Sequence, residues 1–122
     1  MRELTSHKVN GLNDVLQIAV MDEPGPGNAC HDYLIRHMVV GVPFPEHRIL
    51  FQNGPIAEAG VNGISNEALL AIVEDRLGGF QYGPYACREN AIALTKIQEA
   101  MMWLQKRTRD RVARGVEGTS QG

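Results

Sequence analysis

The chain contains one long stretch without a helix-breaking residue, between Pro84 and Gly115. Proline suits the first turn of a helix, and glycine commonly follows the last. The stretch therefore predicts a single helix of roughly 31 residues, about 46 Å long at the standard rise per residue. Such a helix extends beyond the modest core that a 122-residue chain can form. We expect it to pack against a partner.

The long helix carries an apolar seam that suits another helix. Its residues repeat at alternating spacings of three and four, as in a coiled coil: Leu94, Ile97, Met101 and Leu104. Extended outward, the same line reaches Asn90 at one end and Arg111 at the other, with Arg107 beside it. The seam predicts packing against another helix, and we expect the long helix to pair antiparallel in an oligomer.

The first half of the chain is predicted to be β-rich. Apolar runs suggest strands over residues 15–21, 33–40 and 48–52. Asn53-Gly54 is typical of a hairpin turn, which makes the stretch up to Asn62-Gly63 the predicted returning strand. An antiparallel sheet of three or four strands needs a cover on its apolar face.

A short helix is predicted to provide this cover. Ser65 suits its N-cap, and Gly78-Gly79 is the predicted end, followed by a linker over residues 80–83. Its predicted buried stripe is Leu69, Leu70, Ile72, Val73 and Leu77. The fold class is therefore α+β, with a β-rich region over residues 1–64 and a helical hairpin with a glycine-rich tail over residues 65–122. We expect one compact domain overall.

Composition excludes several classes of function. The formal net charge is −2, so a broad basic surface for a nucleic-acid polymer is not expected. Cys30 and Cys87 form no CxxC pair, which argues against a zinc site and, with no signal peptide, favours the cytoplasm. No apolar run approaches the ~20 residues that span a membrane.

The basic residues are concentrated at the end of the long helix. Five of the twelve lysines and arginines lie within nine positions: Lys106, Arg107, Arg109, Arg111 and Arg114. Helix-dipole stabilisation and i,i+4 ion pairs such as Lys106–Asp110 explain cations here without any ligand. The preference for arginine over lysine favours a phosphate site, because the guanidinium is a bidentate donor.

Geometry limits how such a site is built. Asn90 and Arg107 are 17 residues apart, about 26 Å along one helix, so one chain cannot bring both to one small ligand. In an antiparallel pair, the Phe80 and Asn90 end of one subunit meets the Arg107 and Arg111 end of its partner. This pocket offers an aromatic ring for a base, an amide for its edge and arginines for phosphates.

Two stretches carry a family resemblance: FQNGPIAEAGVNGISNEALLAIVEDRL and CRENAIALTKIQEAMMWLQKRTRDRVARGVEGT. Over roughly residues 48–119 the chain resembles the first Thoeris anti-defence family of phage proteins. The resemblance implies a sponge that binds glycocyclic ADP-ribose, the signal of a host TIR-domain enzyme, and holds it intact without metal or cofactor. It implies a pocket at a subunit interface formed by Phe80, Asn90, Arg107 and Arg111.

The C-terminal half also resembles the helical-hairpin domain of phage proteins that sequester CBASS cyclic oligonucleotides. The resemblance implies a homodimer, and some members of the family also assemble into hexamers, as trimers of dimers, and bind cyclic di- or trinucleotides at separate sites. Arg88 and Arg109 lie off the seam and are the second-site candidates. The implied location is the cytoplasm of an infected bacterium.

Two alternatives belong to other classes. His31-Asp32 suggests a small nucleotide phosphohydrolase, although such a metal site needs further His and Asp ligands from surrounding helices. The second alternative is a structural helical oligomer whose arginines only bridge subunits and bind no nucleotide.

Overall fold

The computed structural model describes residues 1–119 and confirms the α+β class. The elements along the described chain are β1 (Arg2–Leu4), α1 (Gly11–Val15), β2 (Leu16–Val20), β3 (Asp32–His37), β4 (His47–Leu50), α2 (Ile56–Ala59), α3 (Asn66–Gln81) and α4 (Arg88–Ala113). They fall into two compact units. The sheet unit comprises Met1–Asn53 and Val61–Ile64, and the helical unit comprises Gly54–Gly60 and the chain from Ser65 onward.

The sheet unit contains one antiparallel sheet with strand order β1-β2-β3-β4. The three predicted strands are present with ends shifted by one to three residues, whereas β1 and α1 were not predicted. β1 is only three residues long, and α1 has only five, so neither presents enough of an apolar period to be recognised. Asn10 caps α1 by accepting a hydrogen bond from the Asn13 amide at 3.0 Å.

The buried hydrophobic residues of the described chain all lie in the sheet unit: Ala19, Val20, Cys30 and Leu34. The loop between β2 and β3 is held by Asp22, whose carboxylate accepts the backbone amides of His31 at 2.9 Å and Asp32 at 3.2 Å. The hydrogen bond from His31 lowers the pKa of Asp22 below the ordinary aspartate value.

The predicted returning strand over residues 54–62 is wrong. This segment contains the short helix α2, with Pro55 at its N-cap, and only an isolated parallel bridge joins Phe51 to Ile64. The side chain of Asn62 closes the loop instead, because it accepts the Asn53 amide at 2.8 Å and donates to the Asn53 carbonyl at 2.7 Å. These bonds replace the ladder that a hairpin would have formed.

The first long helix starts as predicted but ends later. Ser65 is its N-cap and accepts the Ala68 amide at 3.1 Å. Helix α3 then continues through Gly78-Gly79 to Gln81, so Phe80 belongs to the helix and not to a linker. Glycine costs only about 1 kcal/mol in a helix interior, and the Tyr82 amide still bonds the carbonyls of Gly78 and Gly79, each at 3.2 Å. Two adjacent glycines therefore weaken this helix without ending it.

The second long helix is shorter than predicted. Helix α4 has 26 residues and begins at Arg88, with Cys87 as its N-cap, so Pro84 lies in the preceding turn. The Gln81 side chain accepts the Cys87 amide at 3.1 Å and stabilises that turn. The predicted end is correct within one residue, because Arg114 is the C-cap and Gly115 adopts a left-handed φ of 74°.

None of the described hydrophobic side chains of the helical unit is buried. The predicted buried stripe on α3 is therefore wrong: Ile72 and Val73 are exposed, and the three leucines are only half-buried. The seam residues of α4 are half-buried as well. Two helices alone bury little of each other's apolar surface, which leaves area for a partner. No helix in residues 1–119 is long and apolar enough to cross a membrane.

The close approach at Gly63 generates a stability prediction. A Cβ at this position would lie 2.4 Å from the Phe51 carbonyl carbon and 2.6 Å from the Gln52 nitrogen, both backbone atoms that cannot move aside cheaply. We expect Gly63→Ala to lower the free energy of unfolding by about 1–3 kcal/mol or more, as measured by urea denaturation. Gly27→Ala is the matched control, because its Cβ would meet no atom within 4 Å. Equal stability of the two variants would contradict the described loop geometry.

Candidate functional site

A cavity of about 340 Å³ lies at the turn between α3 and α4. It is lined by Arg76, Gly79, Phe80, Gly83, Pro84 and Tyr85. The guanidinium carbon of Arg76 lies 5.1 Å from the ring centroid of Phe80, a cation–π contact. The cavity therefore combines two aromatic rings with one cation, a set of groups suited to a base and an anionic group.

The other two residues predicted near this end lie on the first turn of α4. Asn90 is half-buried and Arg88 is exposed. Neither lines the Phe80 cavity. The structure therefore places Asn90 at the same end of α4 as Phe80, without bringing the two side chains into one cavity.

Another cavity, of about 600 Å³, lies between α3 and α4. Its lining residues are Ala71, Glu74, Asp75, Gly78, Gly79, Tyr82, Leu94 and Gln98. Two carboxylates on one wall disfavour a phosphate, because like charges repel at short range. We therefore do not assign the anion site to this cavity, in spite of its size.

Arg107 lies in a cavity of about 240 Å³ near the C-terminal end of α4. The lining residues are Trp103, Lys106, Arg107, Asp110 and Arg114. Lys106 and Asp110 form the predicted i,i+4 ion pair at 2.8 Å. The cavity therefore retains two further cations, Arg107 and Arg114, beside an exposed indole.

Arg111 has a different environment from Arg107. Its side chain is buried, with 6% of the residue surface exposed. Its Nε donates to the Glu117 carboxylate at 3.2 Å, and its Nη2 donates to the carbonyls of Val116 and Thr119, each at 2.9 Å. The chain beyond Gly115 turns back around this guanidinium, and we call residues 115–119 the tail.

The tail also contacts α2 within the helical unit. The Gly118 carbonyl accepts the Ala57 amide at 2.9 Å, and the side chain of Ile56 lies against Gly118. Gly118 has a φ of 81°, which favours glycine. Arg111 therefore orders the tail, and the tail in turn holds α2.

The structure thus separates the two arginines that the sequence placed at one site. Arg107 opens into the cavity with Trp103, whereas Arg111 bonds the tail. Arg109 is exposed and lines neither cavity. Sequence reasoning also missed Arg76 and Trp103, although each is four residues from a predicted site residue, a spacing at which helical side chains are neighbours.

The His31-Asp32 pair is used in structural contacts. The Asp32 carboxylate accepts two hydrogen bonds from the Arg48 guanidinium, at 3.1 Å and 2.6 Å. Within residues 1–119, no three His, Cys, Asp or Glu side chains are placed to hold a metal ion. The described residues therefore offer no ligand set for the phosphohydrolase alternative.

Comparison with known proteins identifies relatives for the helical part. A family model described as "Acb2/Tad1, hairpin domain" matches residues 45–109. The chain is also similar to a protein named "Thoeris anti-defense 1" from Bacillus phage SBSphiJ7, with 58% identity over 69 residues. The alignment covers 57% of this chain and 49% of the phage protein, so the chain spans about half the length of that relative.

The contact between Arg111 and the tail generates a second prediction. Glu117→Gln removes the charge on the carboxylate that accepts the Arg111 Nε–H. A hydrogen bond to a charged group contributes about 1.5–3 kcal/mol, so we expect the tail to open at least tenfold more often. Faster hydrogen exchange at the Ala57 amide, which bonds the tail at Gly118, measures this opening.

Glu99→Gln is the matched control for this experiment. Glu99 makes only a 3.7 Å i,i+3 ion pair with Lys96 on the exposed face of α4, and the substitution changes the net charge by the same amount. Exchange at Ala57 should match that of the unmodified chain in this variant. Equal exchange rates in the two variants would show that Glu117 does not hold the tail.

Proposed function

Because the chain belongs to the Acb2/Tad1 hairpin-domain family, we propose that it is a phage anti-defence protein that sequesters nucleotide immune signals. The ligand is glycocyclic ADP-ribose, the signal of TIR-domain enzymes, and the protein binds it without cleaving it. The name of the similar phage protein supports the anti-defence role. Its place of action is the cytoplasm of the infected bacterium.

The observation that carries this proposal is the division of ligand-binding chemistry between the two ends of α4. The aromatic cavity with Phe80 lies at the α3–α4 turn, and the arginine cavity, which Trp103 also lines, lies near the C-terminal end of α4. Asn90 and Arg107 are about 26 Å apart at the helical rise. A dinucleotide-sized ligand cannot reach both ends within one chain, so the pocket requires a second copy.

The helical unit has the surface that such a partner needs. None of its described hydrophobic side chains is buried, and the seam on α4 is half-buried in the single chain. Antiparallel pairing of two α4 helices covers this surface and brings unlike ends together. The resulting dimer has two equivalent pockets. We also propose that three such dimers assemble into a hexamer.

Each site residue has a distinct role in the proposed pocket. Phe80 stacks on the adenine, Asn90 hydrogen-bonds the edge of the base, and Arg107 of the other subunit binds the diphosphate. Arg111 is already engaged within its own chain, because the Glu117 carboxylate accepts a hydrogen bond from its Nε. A ligand phosphate at Arg111 therefore competes with the carboxylate of the tail.

The same groups support binding without turnover. Guanidinium groups stay protonated near neutral pH and an amide is not basic, so none of them can act as general base. Aromatic, amide and arginine groups stabilise the ground state of a bound nucleotide. Cyclic di- or trinucleotides would bind elsewhere, with the exposed Arg88 and Arg109 as the candidate contacts.

A complementation experiment tests the composite pocket. Phe80→Ala and Arg107→Ala should each bind glycocyclic ADP-ribose poorly as homodimers, because every pocket carries one lesion. A mixed dimer concentrates both lesions in one pocket and leaves the other intact. We expect mixing under subunit-exchange conditions to restore up to one functional pocket per mixed dimer, as measured by calorimetry.

Two controls make the complementation result interpretable. Each variant mixed with itself should remain inactive, and light scattering should show the same assembly for all samples. If exchange is complete and no binding returns, the antiparallel pocket is wrong.

A depletion experiment tests sequestration against cleavage. Free glycocyclic ADP-ribose should decrease by one equivalent per pocket and no further, because the site holds the ligand without a catalytic base. Heating the complex until the protein unfolds should return the ligand chemically unchanged, as identified by chromatography and mass spectrometry. Turnover beyond one equivalent, or recovery of linear ADP-ribose, would overturn the proposed sponge in favour of a hydrolase.

A further inference from the structure

We propose that Trp103, together with Arg107 and Arg114, forms a nucleotide-binding subsite on the arginine end of α4. This inference deepens the proposed function, on which it rests for the nature of the ligand. It adds Trp103 and Arg114 to the residues that contact the ligand. It also gives a base-stacking surface to the arginine end of the proposed pocket, where the proposed function names only phosphate contacts.

The exposure of Trp103 is the first observation. It is the only tryptophan of the chain, and 65% of its surface is exposed, although tryptophan is among the more buried residue types on average. Trp103 is about 100° around the helix from Leu104, and further from the rest of the seam. A second helix packed on the seam would therefore leave the indole open.

The charges around the indole are the second observation. Lys106 and Asp110 pair at 2.8 Å and compensate each other. Arg107 and Arg114 line the same cavity, and neither guanidinium lies within 4.0 Å of a carboxylate of the described residues. Two guanidiniums beside one indole raise the local positive potential and repel each other unless an anion lies between them.

The combination of groups selects the ligand class. Inorganic phosphate would use the arginines and leave the indole exposed, whereas a neutral aromatic molecule would use the indole and leave the arginines unpaired. A nucleotide uses both, because its base stacks on the aromatic ring and its phosphate accepts bidentate hydrogen bonds from arginine.

The size of the cavity indicates how much of the ligand it takes. Its volume of about 240 Å³ is below the range of roughly 300–1,000 Å³ that encloses a whole small molecule. The cavity therefore accepts one nucleotide unit and leaves the remainder of a larger ligand outside. Because glycocyclic ADP-ribose contains a single adenine, the base on Trp103 would turn its other face to Phe80 of the other subunit in the proposed dimer.

The test uses the full chain and adenosine monophosphate as the probe, with Trp103 as the reporter. We expect the probe to change tryptophan emission saturably. Calorimetry should show about tenfold weaker binding for Trp103→Leu, in the range of stacking energies of one base on an aromatic side chain. Trp103→Tyr keeps an aromatic ring and should stay within about threefold of the unmodified chain, since stacking tolerates a change of ring.

Charge-removing variants separate a specific contact from general electrostatics. Arg114→Gln should weaken binding of the probe about tenfold, as expected for loss of a charged hydrogen bond. Lys96→Gln changes the net charge equally on the same helix but lies outside the cavity, so it should bind the probe as the unmodified chain does. Equal losses in these two variants, or an emission that does not respond to the probe, would overturn the subsite.

A parallel measurement with glycocyclic ADP-ribose distinguishes this inference from the proposed function. If the unmodified chain sequesters that ligand, and Trp103→Leu binds each of the two ligands as tightly as the unmodified chain does, the subsite is wrong and the sponge stands. If the probe binds with the expected dependence on Trp103 and Arg114 but glycocyclic ADP-ribose is not bound, the subsite stands and the ligand of the proposed function is wrong.

Discussion

Helix α4 sets the distance between the two sets of candidate ligand-binding residues. Its 26 residues form one helix of about 39 Å at the standard rise. Phe80 and Arg76 lie before its first turn, and Trp103 and Arg107 lie near its last turns. Since a helix does not shorten to bring its ends together, any small ligand that uses both sets must be bound by two copies of the chain. The proposed dimer, the composite pocket and its two-fold symmetry all follow from this one distance.

The tail shows how similar residues acquire different roles in one helix. Arg107 and Arg111 are one turn apart and identical in chemistry, yet only Arg111 meets the chain that returns after Gly115. Its buried guanidinium is compensated by the Glu117 carboxylate and by backbone carbonyls, as a buried charge requires. Arg107 remains in an open cavity with an exposed tryptophan. In the proposed pocket, a ligand phosphate would reach Arg107 directly but would have to compete with the Glu117 carboxylate at Arg111.

The buried hydrophobic residues of the described chain lie in the sheet unit, whereas the proposed binding residues lie in the helical unit. In the sheet unit, the carboxylates of Asp22 and Asp32 are engaged by backbone amides and by Arg48. The His31-Asp32 pair belongs to this bonded framework. The helical unit leaves its apolar surface accessible, which is costly for an isolated monomer and is typical of an interaction surface. The family match also falls mainly on the helical unit.

The sequence by itself determined the features that depend on local patterns. Three strands, the cap at Ser65, the end of α4 near Gly115 and the α+β class follow from apolar periodicity and from side chains that bond their own neighbours. Phe80 and Arg107 were recognisable as candidates because their residue types and spacing suit a nucleotide, and their role remains a prediction.

Only the tertiary structure decided which groups meet across the chain. The loop at Asn53 closes through the side chain of Asn62, helix α3 continues through two glycines, and Arg111 binds the tail. Each of these outcomes depends on atoms that are distant in sequence or on a competing contact of similar energy. A hairpin signal, a glycine stop and an arginine at a helix end each contribute only about 1 kcal/mol or less. Packing and hydrogen bonds between residues distant in sequence can therefore reverse these signals, and such contacts are visible only in the folded chain.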